Sequence, residues 1–254
     1  MLASQRLAAR RAASPLLLAA IALLVGAAWI ALWLWERSPE ARFLHHAGAT
    51  GATQLVEVGL FIVGWAVMTV AMMLPTSVPL VATFGALVAR RSRPALLVAL
   101  VIAGYLGTWT AFGFAVYLAD RVLHAVVDAT PWLAAHPQLI AAGVLFAGGA
   151  YQFSPLKYRC LDECRSPLGF VLNRWSGRRP RTDALRIGVA HGLFCLGCCW
   201  SLMLVMFALG LGNLAWMFGL GVVMTIEKNL PFGRRLGRPI GVLLLLAGLW
   251  TVVG

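Results

Sequence analysis

The stretch from His191 to Met206 concentrates sulfur and imidazole side chains that can bind a soft metal ion. Its cysteines and methionines follow the histidine by 4, 7, 8, 12 and 15 residues. At 3.6 residues per turn, these positions share one face of a helix. Thiolate and thioether ligands select Cu(I) over hard cations, and imidazole can join them. The spacing therefore predicts a metal site that contains His191, Cys195, Cys198, Cys199, Met203 and Met206.

Three methionines form a second sulfur group earlier in the chain. Met68 and Met72 are one helical turn apart, and Met73 lies beside them. Because thioethers also bind Cu(I), we predict that these residues extend the metal path. Glu57 precedes Met68 by eleven residues, or three turns, and shares its helix face. Two interpretations of Glu57 stay open: an interfacial carboxylate, or a residue that helps ions to enter.

Cys160 and Cys164 form a separate Cys-x3-Cys pair. Such a pair can bind a metal or form a disulfide. A zinc ribbon needs two pairs of this kind, and this segment contains one. Basic residues nearby favour the thiolate form. We predict that this pair exchanges metal with the cytoplasm.

The composition indicates that the elements carrying these residues lie in a membrane. Hydrophobic residues make up 61% of the 254 residues and charged residues 12%, and the mean hydropathy is +0.83. Soluble domains contain about a quarter charged residues, so an ordinary soluble globule and a disordered chain are excluded. We attribute the net charge of +12 to topology and to contacts with anionic lipid, and not to nucleic acid.

The predicted fold is all-α, a polytopic membrane helical bundle. A span needs about 20 apolar residues. Pro75 and Pro79 are expected to kink or break the second helix. The uncharged runs predict about seven transmembrane helices, in 15–35, 58–89, 94–119, 137–156, 187–226 (two helices joined by a turn at 210–213) and 239–254.

The distribution of basic residues predicts the orientation. All Lys and Arg residues except Arg37, Arg42 and Arg121 fall in the N-terminal segment and in alternate loops. The positive-inside rule assigns these segments to the cytoplasm, so the N-terminus is expected inside and the C-terminus outside.

The predicted organisation is a basic cytoplasmic N-terminus at 1–14 and a single transmembrane domain at 15–254. The domain is expected to carry a basic cytoplasmic loop at 157–186. In this topology, Met68 and Cys195 both lie in the inner half of the bilayer or near its middle, because a helix rises about 1.5 Å per residue.

Several motifs follow one another along the chain. They are Ala71-Met72-Met73-Leu74-Pro75, Tyr151-Gln152-x-x-Pro155-Leu156-Lys157-x-x-Cys160-x3-Cys164-Arg165-x-Pro167, Cys195-x2-Cys198-Cys199-Trp200 and Glu227-Lys228. Together they resemble a bacterial family of predicted metal-binding integral membrane proteins, sometimes labelled copper chaperones. The resemblance covers roughly 57–230. It implies metal binding and a location in the bacterial inner (cytoplasmic) membrane.

These features predict a membrane protein that binds a soft metal ion, foremost Cu(I), and transports it or delivers it to a partner protein that needs copper. Zn(II) stays open, because thiolate and imidazole also bind it. The chain has no Gly-rich Lys-Ser/Thr nucleotide-binding motif, so we do not expect ATP-driven pumping. We also expect no enzymatic activity.

Two other functions are compatible with the same residues. Cys195 and Cys198 form a Cys-x-x-Cys motif, and Cys160 and Cys164 offer a second couple for a transmembrane thiol–disulfide relay. The other alternative is an assembly or scaffolding subunit, in which the cysteines only pack as small apolar residues.

Overall fold

The computed structural model describes residues 14–38, 54–208 and 214–253, and every regular element within them is a helix. The all-α prediction is confirmed in this part of the chain. Proline stands at the first position of most of the helices, where its missing N–H costs nothing. The helices are α1 (Pro15–Glu36), α2 (Gln54–Val88), α3 (Pro94–Ala129), α4 (Pro131–Ala134), α5 (Gln138–Tyr151), α6 (Pro155–Cys164), α7 (Pro167–Leu172), α8 (Pro180–Ala208), α9 (Leu214–Asn229) and α10 (Gly237–Val253), the last preceded by a 3-10 turn at Gly233–Leu236.

Several of these helices are long and apolar enough to cross a membrane. In the described residues there are five: α1, α2, α3, α8, and α10 with its preceding turn. The number becomes six if α5 and α6, which meet at 66°, are one broken span. Helix α9 has 16 residues and is shorter than a typical span. The chain is therefore compatible with a multi-pass membrane protein, and the total of seven and the orientation stay predictions.

Two expectations fall largely outside the described residues. The predicted basic N-terminus at 1–14 is described only at Ser14, and nothing of the predicted turn at 210–213 is described. The predicted domain organisation therefore stays a prediction.

The segment 157–186, predicted as a basic cytoplasmic loop between spans, is largely helical. It contains most of α6, all of α7 and the first residues of α8. Ser154 caps α6 by accepting a hydrogen bond from the Leu156 N–H at 3.2 Å, and Pro155 begins the helix. Lys157, on the first turn, is buried beside Glu227. The cytoplasmic location of this segment stays a prediction.

Helix α2 runs through Pro75 and Pro79 without a break, so the expected break does not occur. The carbonyl oxygen of Met73, just before Pro75, accepts hydrogen bonds from the hydroxyl of Thr76 at 2.7 Å and from that of Tyr105 at 3.1 Å. Side-chain hydroxyls thus satisfy backbone groups around the prolines.

Helices α3 and α8 pack against each other at backbone distance. A Cβ atom on Gly104 would lie 2.5 Å from the carbonyl oxygen of Leu185, and one on Gly188 would collide with the backbone of Val101. Further along, Gly192 faces Thr108. The residue numbers of the contacting positions increase together along the two helices, so α3 and α8 are parallel.

The described core divides into two clusters. One, rich in sulfur, joins α1, α2, α3, α6, α8 and α9. The other, of aliphatic and aromatic residues such as Phe84 and Ile187, joins α1, the second half of α2, the first residues of α3 and α8, and α7. Side chains of α1 and α10 are mostly exposed and apolar, as expected of helices that face lipid.

Candidate functional site

Nearly all the sulfur of the chain gathers in one buried cluster. All five cysteines and seven of the eight methionines lie in it or pack against it, and the eighth, Met1, is outside the described residues. We call these twelve residues the sulfur core. They are Met68, Met72, Met73, Cys160, Cys164, Cys195, Cys198, Cys199, Met203, Met206, Met217 and Met224.

The predicted stripe on α8 forms the centre of the sulfur core. Cys195, Cys198, Cys199, Met203 and Met206 are each at most 1% exposed, so none of them faces lipid. The sulfur atoms of Cys198 and Cys199 are 3.4 Å apart, and the Cys198 thiol donates to the carbonyl oxygen of Cys195 at 3.1 Å. The Cys195 side chain also interacts with those of Cys198 and Cys199. Three thiols therefore occupy one small volume.

Cys195 connects this stripe to two other helices. Lys228 of α9 donates from Nζ to the sulfur of Cys195 at 2.7 Å and to Oγ1 of Thr76 on α2 at 3.0 Å. The hydroxyl of Tyr105 on α3 lies 3.0 Å from the same sulfur and 3.1 Å from the carbonyl oxygen of Met73. Tyr105 and Lys228 therefore connect the sulfur of Cys195 to α2, at the Met73 carbonyl and at Thr76.

The Cys-x3-Cys pair lies on α6, against the turn of α8 that carries the thiols. A Cβ on Gly197 would be 2.5 Å from the sulfur of Cys160, so this sulfur rests on the glycine between Cys195 and Cys198. The side chain of Cys164 interacts with that of Cys198. Cys164 is the one cysteine that is only partly buried. The pair thus extends from the buried thiols toward the protein surface.

His191 lies one turn before Cys195 and is 2% exposed. Its Nε2 is 3.2 Å from Oγ of Ser77 on α2, and its ring stacks on Tyr105 with centroids 5.5 Å apart. Its Nδ1 is buried and has no hydrogen-bond partner among the described residues. Buried polar nitrogens usually have a partner, so this atom is a candidate for metal coordination or a bound water.

A buried ion pair positions α6. Lys157 donates from Nζ to Oε1 and Oε2 of Glu227 at 2.8 and 3.0 Å, and also to Oε1 of Gln152. Gln152 in turn donates to Oγ of Ser201 at 3.1 Å. Arg165 donates to the backbone carbonyl of Glu227. This network attaches both ends of α6 to α8 and α9, and so keeps Cys160 and Cys164 beside the thiols of α8.

Several residues of the site were not expected from the sequence. Met217 and Met224 are seven residues, or two turns, apart and share a face of α9, so their spacing was a usable signal. Tyr105 and Thr76 carried no recognisable pattern. Glu227 and Lys228 are neighbours in the sequence, yet each is only 1% exposed and has its own buried partner, Lys157 and Cys195 respectively.

The arrangement suits a soft ion and does not form a closed site. In the described ranges, no group of three or more Cys, His, Asp and Glu side chains is arranged to hold a metal. The zinc alternative therefore receives no support, because a structural zinc site needs four such ligands. Thioethers complete the donor set here, and sulfur donors select Cu(I).

The comparison with known proteins agrees with this donor set. The search found no similar protein among the curated proteins and no similar solved structure. One family model does match, from within α2 to within α10, and the matched range contains the whole sulfur core. The chain belongs to this family, PpoB2, described as copper chaperone, whose model matches residues 62–251.

Proposed function

We propose that the chain is a membrane-embedded chaperone that takes up Cu(I) in its sulfur core and delivers it to a partner protein that needs copper. The observation that carries the proposal is the gathering of twelve cysteine and methionine side chains from four helices into or against one buried cluster. Isolated methionines and cysteines often serve as core filling. Here all twelve belong to the same part of the core, and sulfur ligands select Cu(I).

In this proposal the three thiols of α8 capture the ion, with Lys228 as their counter-charge. A buried thiolate needs a compensating cation, and the Lys228 ammonium contacts the sulfur of Cys195 at 2.7 Å. Cu(I) carries the same single positive charge. It can therefore take the place of the ammonium at the sulfur of Cys195. A second thiol of α8 releases its proton as it binds the ion, so the two thiolates balance Cu(I) and the Lys228 ammonium, which keeps its hydrogen bond to Thr76.

The methionines supply neutral ligands along the route. Met72, Met73, Met203 and Met206 are each at most 2% exposed. Unbranched thioether side chains adapt their shape easily and add no charge to the core, so they can share an ion without trapping it. His191 adds an imidazole nitrogen one turn from Cys195, and this Nδ1 has no hydrogen-bond partner in the described residues.

Delivery proceeds through α6. Cys164 is half-buried and interacts with Cys198, so it connects the captured ion to the protein surface. Thiolates exchange Cu(I) with one another because each is a soft ligand. A thiol-bearing acceptor that reaches Cys164 can then remove the ion without opening the core.

Metal content tests the proposal. Protein purified in detergent without oxygen and supplied with Cu(I) should retain copper, and a Cys195→Ser, Cys198→Ser, Cys199→Ser variant should lose nearly all of it. Gly143→Ala serves as the fold control, because nothing lies within 4 Å of the added methyl group. Zinc is measured in the same samples. Wild-type copper near zero, unchanged in the triple variant, would refute the proposal.

A Cys164→Ser variant tests the proposed release of copper through α6. Cys164→Ser should keep its copper, because the three thiols of α8 remain, and should release it more slowly to a water-soluble Cu(I) chelator. The difference is measured as the release half-time against wild type. Equal release from both proteins would remove Cys164 from the pathway.

Thiol trapping separates this function from a thiol–disulfide relay. All five cysteines are free in the structure. Copper should protect the core thiols against alkylation, and a chelator should restore their reactivity. A relay would instead give defined disulfide-linked species after mild oxidation, regardless of copper.

A further inference from the structure

A basic cleft lies at the end of the bundle where α2 turns into α3 and where α8 begins. It has a volume of about 290 Å³ and opens to the surface. Three arginines and two hydroxyl side chains line it, above an apolar floor that includes Leu97. The lining residues are Ser92, Arg93, Leu96, Leu97, Arg179, Pro180, Arg181 and Thr182.

The arginines of this cleft have no ion-pair partner among the described residues. Arg93, Arg179 and Arg181 line the cleft, and Arg90, Arg91 and Arg178 are within three residues of them in the sequence. All six are exposed, and none forms an ion pair with a described residue. Because like charges repel one another, a bound anion would stabilise this cluster.

The nearest carboxylate is already engaged elsewhere. Asp183, on the first turn of α8, is buried, and its Oδ2 accepts hydrogen bonds from Oγ of Ser176 at 2.7 Å and from the Gly177 N–H at 2.9 Å. It holds the segment before α8 in place. It does not extend into the lining of the cleft, which contains no acidic side chain.

The packing of α3 and α8 increases the positive potential in the cleft. The two helices are parallel and in backbone contact at Gly104 and Gly188, so their N-termini lie side by side. Each N-terminus carries about half a positive charge, and its first N–H groups lack acceptors within the helix. The N–H groups of Arg181 and Thr182 belong to that first turn of α8, since the first helical bond runs from the Asp183 N–H to the Arg179 carbonyl.

We propose that this cleft binds a phosphate group, supplied by the headgroup of an anionic phospholipid or by a free phosphate anion. The guanidinium fork matches phosphate oxygens and binds them with two parallel hydrogen bonds. The hydroxyls of Ser92 and Thr182 add neutral donors. The apolar floor and the exposed Leu96 beside it suit the glycerol and acyl carbons of a lipid.

The test uses the full chain in nanodiscs or detergent. Affinity for phosphatidylglycerol, phosphatidylcholine and inorganic phosphate is measured by native mass spectrometry and by thermal shift. The cleft variant carries Arg93→Gln, Arg179→Gln and Arg181→Gln. A control with the same loss of charge carries Arg234→Gln, Arg235→Gln and Arg238→Gln, on exposed residues that are absent from the cleft lining.

The cleft variant should bind phosphatidylglycerol about a hundredfold more weakly, because each arginine contributes roughly fivefold. The control should bind within about twofold of wild type. Competition by inorganic phosphate at millimolar concentration would identify the free anion as a ligand, and its absence would identify the lipid. Equal losses in both variants, or no loss in either, would overturn the proposal. Copper content should not change, so this test is independent of the proposed function.

Discussion

Replacing Gly197 by alanine tests whether the sulfur of Cys160 belongs to the same site as the thiols of α8. The added methyl carbon would lie 2.5 Å from this sulfur, whereas ordinary van der Waals contact begins at 3.4 Å. The sulfur must therefore move away by about 0.9 Å, or α6 must shift with it. Overpacking of this size costs about 1–3 kcal/mol of folding free energy.

Thermal stability and Cu(I) retention should respond differently to Gly197→Ala. In an open helix position, Gly→Ala stabilises a helix by up to about 1 kcal/mol. Gly143→Ala is the matched control, since it changes the same atoms in α5 with nothing within 4 Å. We expect a lower thermal midpoint for Gly197→Ala than for the control, and faster alkylation of Cys160 because its sulfur no longer rests on α8.

The copper readout decides the interpretation. If Cys160 shares the ion with Cys195 and Cys198, Gly197→Ala should weaken Cu(I) retention against a competing chelator, and Cys160→Ser should weaken it similarly. If both variants retain copper as firmly as Gly143→Ala does, Cys160 only packs against α8. The reasoning that places α6 in the metal path would then be refuted.

Two further predictions concern the contacts that hold the site together. Glu227→Gln leaves Lys157 buried without its carboxylate partner, so it should cost about 3–5 kcal/mol of stability, while Asp162→Asn, which breaks only an exposed ion pair, should cost less than about 1 kcal/mol. Denaturation midpoints in detergent measure both, and equal midpoints would contradict the buried pair. Gly188→Ala inserts a methyl group into the backbone contact between α3 and α8 and should sharply reduce the yield of folded protein, whereas Gly107→Ala, with nothing nearby, should not. Similar yields of monodisperse protein would show that the two helices are further apart.

Helical periodicity was sufficient to predict the sulfur stripes. Cys195, Cys198 and Cys199 recur at helical spacing within one apolar run, and the structure buries them on the side that faces Met72 and Met73. Depth along each helix could also be worked out, because the rise per residue is fixed. The burial of the α8 thiols could be predicted from one helix alone, whereas their depth in the bilayer stays a prediction.

The residues that link the helices could not be predicted in the same way. Tyr105 contacts Cys195 from 90 positions earlier in the chain, and Lys157 finds Glu227 across 70 positions. Such pairs depend on how α3, α6 and α9 pack, which no local spacing encodes. The burial of Lys157 could not be predicted for the same reason, since a charged residue looks solvated until its buried partner is known.

Because the five cysteines are not equally buried, they also differ in how readily an oxidant reaches them. Peroxide oxidises cysteines according to exposure and thiolate character, first to sulfenic acid. Four of the five cysteines are buried, so Cys164 is the cysteine that peroxide reaches first. Oxidative damage to the thiols therefore begins on α6, and the three thiols of α8 stay reduced for as long as the bundle remains closed.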